Sequence, residues 1–321
     1  MTEPDTANSA MILAMQQEAF RDLLPQPFRD WFAGRGWRPR PHQLEVLEAA
    51  RPGGSALLVG PAGGGQTLAG FLPTLIRLAG TPAEGLDTLY VSPLKALAVD
   101  IARNLDTPVA EMGLKIRIET RTGDTPQGKR ARQKYDPPHI LITTPEQVSL
   151  LIADAQAEKL FSTLNAVVID EADELAPNKR GALLSLALSR VQALAPGHHR
   201  IGLSATVAEP ETPAAWLVPQ PGAARLVLGA EGARPDISVL DVEDRIPWSG
   251  HSARHTVDAI YERISGARLA LVFVNTRSQA ELLFQELWRV NEDSLPIALH
   301  HGSLDVAQRR RVEKAMETNS L

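Results

Sequence analysis

A chain of 321 residues, 44% apolar and 22% charged, holds enough material for two globular cores. A formal charge of −5 argues against a protein held to DNA by bulk electrostatics, and the absence of cysteine excludes disulfides and cysteine-built zinc or iron–sulfur sites. The opening residues lack the basic flank and long apolar run of a signal peptide, and no later apolar stretch reaches membrane-spanning length, so a reducing cytoplasm is expected.

In chain order, short runs rich in Val, Ile and Leu recur with amphipathic stretches between them: SALLVG, DTLYVS, KIRIE, HILIT, AVVID and RIGLS. That rhythm predicts buried parallel strands joined by crossover helices, hence an α/β fold with a doubly wound parallel sheet. Residues 1–30 read as an N-terminal extension and residues 31–220 as the first domain. The Pro- and Gly-rich stretch 221–250 reads as a linker whose short apolar pieces suit edge strands. From 251 to 321 the pattern predicts a helix near His255–Ile264, the strand LALVFV, a helix over Arg277–Arg289, the strand PIALH and a basic helix over Asp305–Met316. Two strand-plus-helix units predict only part of a second domain.

SALLVG runs into GPAGGGQT and then the apolar helix LAGFLPTLIRL, the strand, loop and helix context of a phosphate loop. Gly60, Gly63, Gly64 and Gly65 let backbone N–H groups turn toward phosphate oxygens, and Thr67 is placed to hold Mg²⁺. Where the signature carries lysine this chain has Gln66, which can donate a hydrogen bond but has no charge to balance the β- and γ-phosphates. A glycine-rich turn without a ligand is the competing reading.

AVVID leads into Asp170 and Glu171, an acidic pair at the end of a buried strand, where open α/β sheets place their sites. Asp170 suits metal binding and Glu171 suits orienting or deprotonating an attacking water, against the plainer role of an acidic helix cap. Ser204 and Thr206 close the strand RIGLS and suit a link between the acidic pair and domain motion, or an ordinary turn. The segment from Lys115 to Lys134 holds seven basic residues against Glu119 and Asp124, either a solvated surface or a phosphate-facing patch.

WRPRPHQ, GPAGGGQT, YVSPLKALAVD, ETRTGDT, TTPEQ, IDEADEL followed by KRG, GLSATV, GHSARH, LVFVNTRSQAE and HHGSLD occur in one order along nearly the whole chain from Trp31. This order resembles superfamily 2 DEAD/DEXH-box helicases, most closely the ligase-associated, large helicase-related DNA helicases. The resemblance implies a RecA-like P-loop domain, a partial second RecA-like domain, and ATP with Mg²⁺ driving movement along nucleic acid. It implies that Gln43 reads the adenine edge. Ser92, Pro93, Lys95, Arg121, Thr122, Gly123, Asp124, Thr143, Thr144, Pro145 and Glu146 match a nucleic-acid track, continued by Asn275, Thr276, Arg277, His301, Gly302 and Ser303.

The implied partner is single-stranded or partly duplex nucleic acid, DNA before RNA, in DNA repair, with a ligase as an associated protein. Departures from the family pattern are Gln66 for lysine, Gly60 and Ala62 in the loop, and Asp173 for the usual histidine. The late second-domain motifs, including the arginine fingers, would lie beyond Leu321. The expected activity is that of an ATP-dependent helicase or translocase slowed by Gln66 and by an incomplete second domain. The alternative is a module that grips nucleotide and single strands without hydrolysis.

Overall fold

The computed structural model describes residues 23–51, 54–61, 63–81, 84–205, 207–219, 222–230, 235–240, 256–318 and 320–321. The chain divides into two compact units, Met1–Arg234 and Pro235–Leu321. In the first unit, helices α1 (Gln26–Gly34) and α2 (Pro41–Ala49) precede β1 (Ala56–Val59), α3 (Gln66–Gly80), β2 (Thr88–Val91), α4 (Lys95–Glu111) and β3 (Ile118–Arg121). Then come α5 (Gln127–Tyr135), β4 (Ile140–Thr143), α6 (Pro145–Ile152), α7 (Ala157–Phe161), β5 (Ala166–Ile169), α8 (Ala172–Leu175), α9 (Lys179–Leu194), β6 (His199–Ser204), α10 (Glu211–Leu217) and β7 (Arg225–Leu228).

The strands form one seven-stranded sheet in the order β3-β4-β2-β5-β6-β1-β7, with every described pairing parallel. Alternation along each strand feeds two separate cores. Leu57, Val59, Leu89, Val91, Val167 and Ile169 face one side, packed by α9 and α10 residues such as Leu184 and Leu217. Leu58, Tyr90, Ile142, Val168 and Leu203 face the other, under α3 residues such as Phe71 and Leu75. Burial on both faces is why β1, β4 and β5 are nearly continuous apolar runs without a polar face. At the lower edge, the fully buried Asp87 accepts from Arg77, Thr88 Oγ1 at 2.8 Å and Asn165 Nδ2 at 3.1 Å, tying α3 to β2 and β5.

The strands expected in the first unit are present, with β3 displaced toward the C-terminal side of KIRIE. β7 lies within the stretch read as linker; as an edge strand, it buries Val227 alone among its residues, so its pattern is weak in sequence.

The second unit contains α11 (Val257–Ser265), α12 (Arg277–Arg289) and α13 (Val306–Glu317). These fall where helices were expected, although His255 itself lies outside the described residues. LALVFV and PIALH, expected as strands, form no ladder among the described residues. In the first unit β1 and β2 are not neighbours, because β5 and β6 lie between them. Neither of the two segments has a paired neighbour among the described residues, and a strand without a partner is not held. A groove of about 870 Å³ runs along Leu271, Phe273, Ile297 and Leu299, and Phe273 stands 88% exposed.

His199 opens β6 almost buried, with Nε2 lacking a hydrogen bond, and burial followed by the charge of Arg77 pushes it down to about 4. An unfolded histidine takes its proton near 6.5, so between about pH 6.5 and about pH 4 the unfolded chain binds the extra proton and the fold loses stability. Urea midpoints should therefore fall from pH 7 to pH 5.5. His199→Phe should flatten that slope to what His42 and His198, both lowered by burial, contribute.

Candidate nucleotide and nucleic-acid site

The loop from Gly60 to Gly65 leaves β1 and turns into α3 at Gly65, whose left-handed φ of +76° suits glycine. A Cβ there would sit 2.8 Å from Gln43 Nε2, so the close approach also requires its absence. For loop N–H groups to point inward, the carbonyls must point outward and find donors elsewhere. They do. Gly64 O accepts from His42 Nε2 at 2.9 Å, Gly65 O from Gln43 Nε2 at 3.2 Å, and Gly63 O from Arg40 at 3.5 Å. Pro61 O accepts from Gly64 N at 3.1 Å.

Since Gly64 O can only accept, His42 carries its proton on Nε2. Gln43, expected to read adenine, is buried and also accepts from Arg40 N at 2.9 Å, so its amide braces the loop, with one N–H left over. A cavity of about 170 Å³ opens beside the loop, lined by Arg40, His42, Gly63, Gly64, Gln66 and Gly229.

Gln66 points back into the protein. Its Nε2 donates to Gly60 O at 2.5 Å and to Ser204 O at 3.1 Å. Both partners are carbonyls, so the nitrogen must face them, and both amide protons are engaged. What remains is an acceptor oxygen, the wrong polarity for a phosphate. Ser204 thereby joins the loop to β6, also through Gly60 N donating to Ser204 O at 3.1 Å. Its hydroxyl turns to Ala205 O at 3.1 Å. Thr206 and Ala62 lie outside the described residues.

β6 alone separates β1 from β5 in the sheet, which sets Asp170 and Glu171 beside the loop. Asp170 N donates to Val91 O, anchoring the turn, and burial pushes its carboxyl up from the ordinary value. Glu171 sits at φ 49°, ψ 50°, a left-handed conformation that a residue carrying a Cβ adopts at a cost. Burial, then the charges of Asp170 and Asp173, push its carboxyl up as well. Among the described residues no group of three or more His, Asp or Glu gathers to bind metal. Magnesium would therefore rely on Thr67, which is half-buried at the start of α3, on Asp170, and on the nucleotide's own oxygens. The glycine cradle and this oxygen donor set fit a magnesium nucleotide; Gln66 does not fit the charge of a terminal phosphate.

The first-unit track residues collect at the carboxyl ends of β2, β4 and β3, adjacent in the sheet. Lys95 pairs with Asp124 at 3.1 Å, joining the SPLK and RTGD turns, and Gly123 lies against the Lys95 side chain. Ser92, Pro93, Thr122, Thr144 and Pro145 are buried, shaping the turns. Thr143 Oγ1 donates to Arg121 O at 2.8 Å. Arg121 itself is buried beneath α5, donating to Arg130 O at 2.8 Å. The basic segment is largely paired off: Arg117 with Asp136, Arg132 and Lys129 with Glu119, and Lys134 with Asp154.

Glu146 holds Arg180 at 2.6 and 3.2 Å, joining α6 to α9, and this hydrogen-bonded partner brings its carboxyl down to about 2. Arg180 and the next residue, Gly181, belong to the KRG turn. A Cβ on Gly181 would lie 1.8 Å from Leu175 O, so α9 can start against α8 only with glycine there. In the second unit Thr276 caps α12, Arg277 reaches Ser303, and His301 Nε2 lies 3.3 Å from Glu281, bringing its two turns together beside Asn275 and Gly302. His42, Arg40 and Arg180 were within quoted motifs, but only the fold reveals what they hold.

A glycine loop closing β1 and an acidic pair closing β5 of a parallel sheet define a P-loop α/β domain of the RecA-like kind. The chain belongs to the DEAD/DEAH box helicase family, whose model matches residues 40–213. It is 35% identical to "Lhr helicase/probable uracil glycosylase" of Mycolicibacterium smegmatis, over 91% of this chain and 22% of that protein. It is 36% identical to the ATP-dependent helicase Lhr-Core of Methanothermobacter thermautotrophicus, over 84% of this chain and 34% of that one. A solved structure of Mycobacterium smegmatis helicase Lhr bound to ssDNA and AMP-PNP matches with a TM-score of 0.78 at 34% identity, over 92% of this chain and 40% of that chain. The chain thus spans well under half the length of these relatives.

Relieving the strained turn gives a direct check on its geometry. Glu171→Gly should raise unfolding stability by about 1 kcal/mol, the usual penalty of a left-handed residue, as measured by urea denaturation without nucleotide.

Proposed function

We propose that this chain is the ATP-binding part of an ATP-dependent DNA helicase or translocase in which hydrolysis is slowed by Gln66. The observation that carries this reading is the loop itself. Three of its carbonyls are held by His42, Gln43 and Arg40, leaving the loop N–H groups other than those of Gly60 and Gly64, which go to Ser204 O and Pro61 O, for phosphates, one strand away from Asp170 and Glu171. Thr67 and Asp170 would hold Mg²⁺, which supplies charge neutralisation to the phosphates when bound. Glu171 would orient and accept a proton from water. The wider track at the ends of β2, β4 and β3 would hold phosphates through hydroxyls and backbone N–H groups, giving affinity with little sequence preference.

DNA is favoured over RNA because the similar Lhr structure carries ssDNA with AMP-PNP. A repair setting is supported by relatives whose names join Lhr helicase to uracil glycosylase. A ligase as partner rests on motif resemblance alone. Among the described residues no helix is long and apolar enough to cross a membrane, and we place the protein in the cytoplasm on its cysteine-free composition.

A second reading, a module that grips nucleotide and single strands without turnover, is favoured by the full commitment of the Gln66 amide protons to Gly60 and Ser204. One pair of measurements separates the two: ATPase with and without single-stranded DNA, beside equilibrium binding to labelled strands. The motor reading expects slow, DNA-stimulated turnover in the chain and at least a tenfold rise in Gln66→Lys. Equal rates in the two chains contradict the role given to Gln66, and tight DNA binding with no turnover favours the module.

A further inference from the structure

Tyr90 is fully buried on β2, with its ring stacked on Phe71 of α3 at 4.7 Å and 12°. In the parallel register Tyr90 lies opposite Val168 and Val91 opposite Ile169. Side chains alternate along a strand, so Tyr90, Val168 and Asp170 address the same face, the one covered by α3. Two residues of strand cover about 6.6 Å, roughly the reach of a tyrosine side chain. That register brings the hydroxyl beside Asp170, its hydrogen-bonding and charge neighbour, and no other group among the described residues takes up its proton.

A buried hydroxyl needs an acceptor for its proton, and phenylalanine would keep the stack on Phe71 without that need. In strand sequence the residue passes as one more core apolar. Its position is not that of a filler. A phenol keeps its proton at neutral pH, so the group facing Asp170 is a donor.

We propose that Tyr90 is a positioning residue for Asp170: its hydroxyl donates to one oxygen of that carboxylate and fixes its rotation, so that the other oxygen is presented to the magnesium arriving with a nucleotide. This rests on the nucleotide-site reading given above. The residue touches neither metal nor nucleotide and acts only through Asp170. A hydrogen bond to an ionised group in dry surroundings is among the stronger kinds, so its loss should be felt in the capture of the metal.

The test compares the full chain with Tyr90→Phe and Phe71→Leu, using a fluorescent methylanthraniloyl ATP as probe. The expected result for Tyr90→Phe is a rise of about tenfold in the Mg²⁺ concentration for half-maximal binding and an unchanged affinity for the probe in EDTA. Phe71→Leu, which loosens the stack and keeps the hydroxyl, should lower the urea midpoint with a much smaller Mg²⁺ shift. Superimposable Mg²⁺ titrations of the unmodified chain and Tyr90→Phe overturn the proposal. So does an equal shift in both variants, which marks general loosening. Failure of the unmodified chain to bind the probe with Mg²⁺ overturns the nucleotide-site reading itself, and this inference falls with it.

Discussion

A loop can turn its N–H groups inward only if its carbonyls, turned outward, meet donors. In this chain that condition is met from two directions. Arg40, His42 and Gln43 arrive from the start of α2, and Gln66 and Gly64 act from within the loop. The run WRPRPHQ is thus a bracket for the phosphate loop before it is anything else. Without these donors the loop would carry orphaned carbonyls in a half-buried setting, at a cost comparable to lost hydrogen bonds.

The sheet order converts this local arrangement into a site. Placing β6 between β1 and β5 makes Ser204 the neighbour of both the loop and the acidic turn, and Gln66 and Gly60 are bonded to its carbonyl. On the other side, β5 pairs with β2, so Asp170 hangs from Val91 and shares a face with Tyr90. Strain is concentrated at Glu171, whose left-handed backbone is held between β5 and the start of α8. Such strain persists where the surroundings over-determine a residue. Here the anchors are the hydrogen bond of Asp170 N to Val91 O and the packing of α8 against Gly181.

Much of this was legible because buried parallel strands are four-residue apolar runs and glycine loops follow them directly. The acidic pair, the SPLK, RTGD and TTPE turns, and α12 and α13 stand where their residues predicted. What was not legible depends on partners distant in sequence. The apolar pieces of the Pro- and Gly-rich stretch suited edge strands, and β7 is one, but its exact place was not legible because an edge strand needs to bury only Val227. LALVFV and PIALH read as strands by composition, but pairing belongs to two segments and not to one. The charge of the Lys115–Lys134 stretch looked free until Asp136 and Asp154, outside it, took up Arg117 and Lys134. Gln43 could be matched to a role by its carboxamide, but the sequence could not say that the carboxamide already held Gly65 O.

The account turns on inward-facing backbone N–H groups in the loop, and amide nuclear magnetic resonance observes those groups one at a time. On adding AMP-PNP with Mg²⁺, the amide protons of Gly63, Gly65, Gln66 and Thr67 should move together and saturate along a single binding curve. If these amides stay in place at saturating nucleotide, or if the shifts gather elsewhere in the chain, the loop does not cradle phosphate and the account is wrong.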